Sequence, residues 1–238
     1  MPQNSLIEVT IKVWSSDKDY FCLMTLLWNL WGKYMSVKSK NKSTENKRIH
    51  AQYDEKSIRV YQAYNYKIAD EAVSLGTFGS HFKLGRTTWI KPSFLWMMYR
   101  SGWATKENQE RILAIDIRRT GFDIILENVV LSAFKAEVYG QYENWKTRLE
   151  NSNVICQWDP CRDILGNPLD ERAIQLGLKG DIVNNYVNDW IVNITDITNT
   201  VIELGEAIKS KTFKDSMLPV EYEYPLNDRV KKILGIIE

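Results

Sequence analysis

Apolar and polar positions along the chain change period several times, and each change marks an element. Ser57–Tyr64, SIRVYQAY, reads as a strand. Ile68, Ala69, Ala72 and Val73 then fall on one helical face, with Asn65 placed to cap the helix and Gly76 to stop it. Arg86–Ile90, RTTWI, has the β-branched and aromatic residues of a short strand. Pro92 suits a first helical position, and Phe94, Met97 and Met98 form the apolar face that follows. Arg111–Ile117 predicts a buried strand, and Gly121–Phe134 predicts one helix with Phe122, Ile125, Leu126, Val129, Val130 and Ala133 on its inner face. Further on, the pattern predicts a helix over Gln141–Asn151 and a strand over Val154–Trp158 ended by Asp159-Pro160. It continues with a strand over Arg172–Leu178, a short helix capped by Asp181, a strand over Ile191–Ile197 and a helix near Thr200–Lys209. Strands and helices mix without strict alternation, so the expected class is α+β.

The ends are organised differently. Residues 1–34 hold an alternating stretch, SLIEVTIKVW, and an apolar run, YFCLMTLLWNLW, that is too short to span a bilayer and lacks a signal-peptide pattern. A polar, basic stretch follows Met35. Residues 1–47 are therefore expected to be an appendage with a basic linker, Met35 being a candidate natural start. Residues 48–210 are expected to form the core domain, and residues 211–238 a tail packed on it. No membrane association is expected, and the oligomeric state is open.

Composition narrows the chemistry. A net charge of +1 over 238 residues gives no global field, so attraction to nucleic acid would need a local patch. Three cysteines, Cys22, Cys156 and Cys161, make no disulfide framework and fit a reducing, cytoplasmic setting. Two histidines, His50 and His81, are too few for a histidine-rich metal centre, so no metal is expected. No G-x-S-x-G, Walker loop or G-x-G-x-x-G occurs.

Four groups of residues stand out. Tyr61, Gln62, Tyr64 and Asn65 close the first strand, where packing and helix capping are the plainer explanation. Arg86, Thr88, Trp89, Lys91, Ser93, Trp96, Arg100 and Trp103 surround the strand-to-helix joint. Cations there must face carboxylates or a bound anion, and free N–H groups at a helix start favour phosphate. Trp158, Asp159, Arg162 and Asp163 sit after a strand, where an ordinary surface ion pair competes with a substrate loop. Glu171 and Gln175 share one face of the strand RAIQLGL and Arg172 the other; Glu171 and Gln175 suit a ribose, though Glu171 also reads as a solvent-side charge.

RIHAQYDEKSIRVYQAYN, LGRTTWIKPSFLWMMYRSGWATK, QWDPCRD, ERAIQLGL and DWIVNITDIT together resemble a family of bacterial and fungal proteins known by a domain-of-unknown-function label. The likeness runs from Arg48 to Lys209 and implies no activity. In order of elements the chain also resembles ADP-ribosyltransferases, whose sheet is split and mostly antiparallel with flanking helices. Their first strand carries an Arg or His, a Ser/Thr-rich second strand leads into a helix, and a Glu lies on a late strand after a substrate loop. The resemblance implies Gln62 at the Arg/His position, Thr88 at the Ser/Thr position and Gln175 or Glu171 at the Glu position. It further implies NAD as cofactor, with Arg86, Lys91, Ser93 and Arg100 on its pyrophosphate. Tyr61 and Trp89 would frame a ring, Glu171 or Gln175 would orient the ribose, Tyr64 and Asn65 would complete the cofactor site, and Trp158, Asp159 and Arg162 would form the substrate loop. Gln62 and Gln175 depart from that pattern, since an amide is no base. The expected function is thus an ADP-ribosyltransferase-like protein acting on a nucleic-acid or protein acceptor. A non-catalytic nucleotide or nucleic-acid binding module and a purely structural protein are the alternatives.

Overall fold

In a computed structural model the described residues are 46–236, and they belong to one compact α+β unit. The readings made for residues 1–45, including the apolar run, Cys22 and Met35, lie outside the described residues.

The frame is two sheets meeting at one joint. Strands β3 (Ser57–Tyr64), β5 (Arg111–Arg118) and β9 (Ile191–Asp196) pair antiparallel in the order β3-β5-β9. The second sheet is mixed. Its centre is the antiparallel hairpin β7 (Val154–Arg162) and β8 (Pro168–Leu178). The free edge of β8 takes the short strand β1 (Asn46–Lys47) in parallel at Glu171–Arg172 and β4 (Thr88–Ile90) antiparallel at Leu176–Leu178. Strand β6 (Val129–Leu131) adds in parallel to β7. A small ribbon pairs β2 (His50–Ala51) with β10 (Tyr222–Glu223). The two large sheets touch where the Tyr61 N–H donates to the Lys91 carbonyl at 2.7 Å, directly after β4.

Eight α-helices among the described residues cover these sheets: α1 (Tyr66–Leu75), α2 (Phe94–Ser101), α3 (Arg119–Glu127), α4 (Ala136–Tyr139), α5 (Tyr142–Asn151), α6 (Asp181–Asn185), α7 (Thr198–Lys209) and α8 (Asp228–Ile233). Alternation puts Tyr61, Ile112 and Ala114 on one face of the antiparallel sheet, packed with Phe94, Met97 and Met98 of α2 and Val201 and Leu204 of α7. The opposite face, with Val60, Leu113 and Ile115, belongs to a larger core shared with Phe122, Ile125, Tyr186 and Trp190. Gly121 lets α3 approach that core, because a Cβ there would stand 2.5 Å from the Trp190 ring. The tail contributes Tyr224, Val230 and Leu234, all buried.

Several boundaries differ from the sequence expectation. The long helix over Gly121–Phe134 ends at Asn128, whose amide donates to the Ile124 carbonyl; Val129 and Val130 continue as β6. A β-branched pair reads as helix by period, yet its backbone finds a ladder on β7 instead. Asp159-Pro160 does not end β7, which runs on to Arg162. The β6 pairing reaches only Cys156, so Pro160 lies on an edge where no ladder donor is missed. Strand β8 correspondingly begins at Pro168. Pro92 precedes the N-cap Ser93 instead of opening α2, since Lys91 is held extended by its bond to Tyr61. Asp181 is the first residue of α6, with Gly180 as its N-cap, and the segment becomes a π-helical turn over Tyr186–Trp190. Val73 is exposed, leaving Ala69 and Ala72 as the buried face of α1.

Candidate functional site

A cleft of about 930 Å³ opens beside the joint between the sheets. One wall is the end of β3 with the start of α1, the floor is β4 with β8, and the far wall is α2. Gln62, Tyr64, Asn65, Arg86, Thr88, Trp89, Lys91, Arg100 and Gln175 all line it. Distant stretches of sequence singled out for their chemistry are thus gathered in one place.

Gln62 holds the joint together. Its Nε2 lies 2.8 Å from the Tyr64 hydroxyl, 2.8 Å from Thr88 Oγ1 and 3.1 Å from the Trp89 carbonyl, and its Oε1 accepts from the Tyr186 hydroxyl at 2.8 Å. Both amide hydrogens and one of the two oxygen lone pairs are committed by these bonds. Gln62 is therefore a positioning residue that fixes β4 against β3. Burial raises the phenols of Tyr64 and Tyr186, keeping both protonated as donors. Asn65 spends its Oδ1 on the Ile68 N–H, 3.1 Å away, as the predicted cap.

The floor carries Trp89, Lys91 and Gln175 on one face, as strand alternation requires. Trp89 pairs with Gly177, where a Cβ would come within 3.0 Å of the indole. The glycine lets the ring lie against the sheet and face the cleft. Gln175 donates its Nε2 to Asp159 Oδ2 at 2.6 Å, and Gln157 donates to Oδ1 at 3.0 Å. With its amine turned to Asp159, Gln175 has its Oε1 left to accept from a ligand hydroxyl. Lys91 is 6% exposed and, among the described residues, donates only to the Trp89 carbonyl, at 3.1 Å. Burial first, and then the Arg100 charge, lower its ammonium to about 7, while Asp159 pulls the other way.

The lining contains Lys67, Lys83, Arg86, Lys91 and Arg100, and no Asp or Glu. None of these five cations makes an ion pair within 4.0 Å among the described residues. Elsewhere the protein does pair its arginines: Arg59 with Asp116, and Arg111 with Asp70 and Asp196.

Other expected site residues lie away from the cleft. Tyr61 is in the core below α2, edge-on to Phe94, its hydroxyl donating to Gln52 Oε1 at 3.0 Å. Trp158 faces away and donates to the Leu234 carbonyl at 3.1 Å. Arg162 stacks on Tyr99, 4.0 Å from the ring centre. Asp159 and Arg162 belong to a strand, not a loop, and Asp163 caps the hairpin turn by accepting from the Leu165 and Asn167 N–H groups. Ser93 and Glu171 line a separate 160 Å³ pocket with Glu221, where Glu171 Oε1 is 3.5 Å from His50 Nε2. Of the two residues proposed for the late-strand position, only Gln175 reaches the cleft. The predicted anion cradle at the start of α2 is also filled, because the Phe94 N–H donates to Glu221 Oε1 at 2.6 Å. That carboxyl is pushed up to about 8 by burial, partly offset by this bond. Trp96 and Trp103 are packing residues beside Tyr99 and Phe94.

Sequence reading missed Lys67, His81, Phe82 and Lys83. The signal was present in HFKLGR, a basic run just before β4, but nothing local placed it over the cleft. What places it is Glu71 of α1. Its carboxylate accepts from the Ser80 N–H and hydroxyl and from the His81 N–H, at 2.8–3.0 Å, and pairs with the His81 ring at 3.1 Å. These bonds, led by that of the His81 N–H, hold its carboxyl down at about 2. Phe82 stacks on Phe78 at 4.4 Å beneath.

Residues 48–224 match a protein family described as "Domain of unknown function (DUF4291)". The chain belongs to that family. The DUF4291 match covers both sheets apart from strand β1, together with the cleft and the Glu221 contact, and ends at Tyr224, so the final helix α8 lies beyond it. No curated protein matches the chain in sequence.

Proposed function

We propose that the cleft of this DUF4291 protein binds a phosphorylated nucleotide, NAD being the first candidate, and that the domain is ADP-ribosyltransferase-like. One observation carries the reading: five basic side chains line a cleft whose lining holds no carboxylate, and none makes an ion pair within 4.0 Å among the described residues. Gathering like charges, one of them buried, costs several kcal/mol unless an anion joins them. Two negative charges on a pyrophosphate would repay that cost in the complex. Trp89, packed close against Gly177, offers an aromatic surface for a base or nicotinamide, and Gln175 Oε1 an acceptor for a ribose hydroxyl.

The transferase part rests on arrangement. The first strand (β3) lies beside the second (β4), which leads into α2, and the late strand β8 lies beside β4. Gln62, Thr88 and Gln175, the three positions implied by the resemblance, line one cleft. In a transfer, Arg86 and Arg100 would hold the pyrophosphate, Gln175 would orient the ribose, and the fixed dipoles would stabilise an oxocarbenium-like transition state. The lining lacks a carboxylate and Gln62 has both its amide hydrogens committed to the protein, which favours simple binding as the second reading.

Calorimetry with NAD, ADP-ribose and a short RNA separates these. NAD and ADP-ribose should bind, and Arg86→Ala with Arg100→Ala should weaken both at least tenfold without lowering the melting temperature. Incubation with labelled NAD should release nicotinamide if the domain transfers. Binding without release supports the second reading, and RNA binding alone rejects the dinucleotide.

A further inference from the structure

Lys91 is the least explained group in the cleft. It is 6% exposed, and among the described residues it has no carboxylate within 4.0 Å and one hydrogen bond, to a backbone carbonyl. A lysine meant only to hold phosphate is better placed on a rim, as Lys67 and Lys83 are, where it stays hydrated and charged. The groups that act on Lys91 come from neighbouring elements. Arg100 on α2 disfavours its charge, and Asp159 on β7 favours it. Asp159 is itself held in place by Gln157 and Gln175. An amine beside a second cation and screened from water is the setting that makes lysine a nucleophile; Asp159 only moderates it.

We propose that Lys91 is a covalent-binding residue whose amine condenses with the aldehyde of a phosphorylated aldehyde, such as an open-chain sugar phosphate, while the cleft's arginines hold the phosphate. The inference rests on the reading of the cleft as a phosphate site and adds the chemical class of its partner. The Lys91 Nζ lone pair attacks the carbonyl carbon, forming a C–N bond as the carbonyl oxygen takes up a proton. The amine then loses a proton, and the resulting carbinolamine loses water to give an imine. Water carries the proton between nitrogen and oxygen. No oxidant or reductant is consumed. The lowered ammonium, at about 7, leaves roughly half of the amine free to attack at neutral pH.

The test uses the full chain, pyridoxal 5′-phosphate as the aldehyde probe, borohydride to fix any imine, and peptide mass mapping. We expect about one probe per chain, on the Lys91 peptide, with labelling that rises through pH 7 and not pH 10. Pyridoxal without its phosphate should label at least tenfold more slowly, and inorganic phosphate should compete. Lys91→Arg, which keeps the charge, should abolish the label, and Arg100→Gln should move its pH midpoint upward. Labelling confined to Lys67 or Lys83, with the Lys91 peptide unmodified, overturns the proposal. If phosphate or NAD still stabilises the protein in that case, the phosphate reading survives and only the covalent step fails. If neither stabilises it and Lys91 stays unlabelled, both fall.

Discussion

Single residues carry most of what can be checked. Lys91 has a depressed ammonium, at about 7 against an ordinary 10.5. Between those values the unfolded chain binds a proton that the folded one does not, so the Lys91 contribution makes stability rise with pH across that window. Lys91→Met should therefore be more stable than the native protein near pH 7, by roughly 1–3 kcal/mol, with a flatter profile up to pH 10. Chemical denaturation at several pH values measures this. The same variant should lose affinity for phosphate, an exchange of stability for function that active sites commonly show. Gly177 is a second case. An added methyl meets Trp89 and Thr87 at 3.0 Å, on ring and methyl carbons that must shift by a few tenths of an ångström. Gly177→Ala should alter tryptophan fluorescence and cost about 1–2 kcal/mol by overpacking, with a larger loss in nucleotide binding than in melting temperature.

At the scale of elements, two carboxyl groups hold segments that sequence left loose, and they respond to pH in opposite senses. Glu71 fastens the 80–81 backbone and so the basic run above the cleft. Its carboxyl is held down at about 2, so its contribution to stability is present above the unfolded carboxylate value and is lost as pH falls toward 2. Glu71→Ala should free that loop, seen as faster proteolysis near Lys83 and weaker binding in the cleft, with α1 intact. Glu221 is the reverse. Burial raises its carboxyl to about 8, so the folded protein keeps a proton that the unfolded chain has released above pH 4.5. Stability from this group is full at acid pH and falls as pH rises toward 8. Glu221→Gln keeps an oxygen for the Phe94 N–H and removes the charge. It should exceed the native protein in stability at pH 9, by roughly 1–3 kcal/mol, and match it near pH 4.

For the molecule as a whole, charge is distributed unevenly around a small total. The net value of +1 hides five basic side chains in one cleft that make no ion pair among the described residues. Nucleotide binding should accordingly weaken steeply with salt while the melting temperature changes little, because the pairs at Arg59 and Arg111 are partly shielded from solvent. No helix among the described residues is long and apolar enough to cross a membrane.

Local pattern alone was enough for the α+β class, for strands β3, β5 and β9, for the Asn65 cap, and for the residues of β4 and α2 that flank the cleft. These follow from side-chain period and capping, which act over a few residues. Tertiary structure decided the rest. Val129 and Val130 become strand because β7 offers their backbone a partner, and Pro160 stays within β7 because its edge is free. Gln175 reaches the cleft and Glu171 does not because β8 pairs with β4 at one end and β1 at the other. The start of α2 takes Glu221, 127 positions away, which no local pattern can announce. Which cations remain without a carboxylate is likewise a matter of three-dimensional neighbours, since pairing energy depends on distance and burial and not on order along the chain.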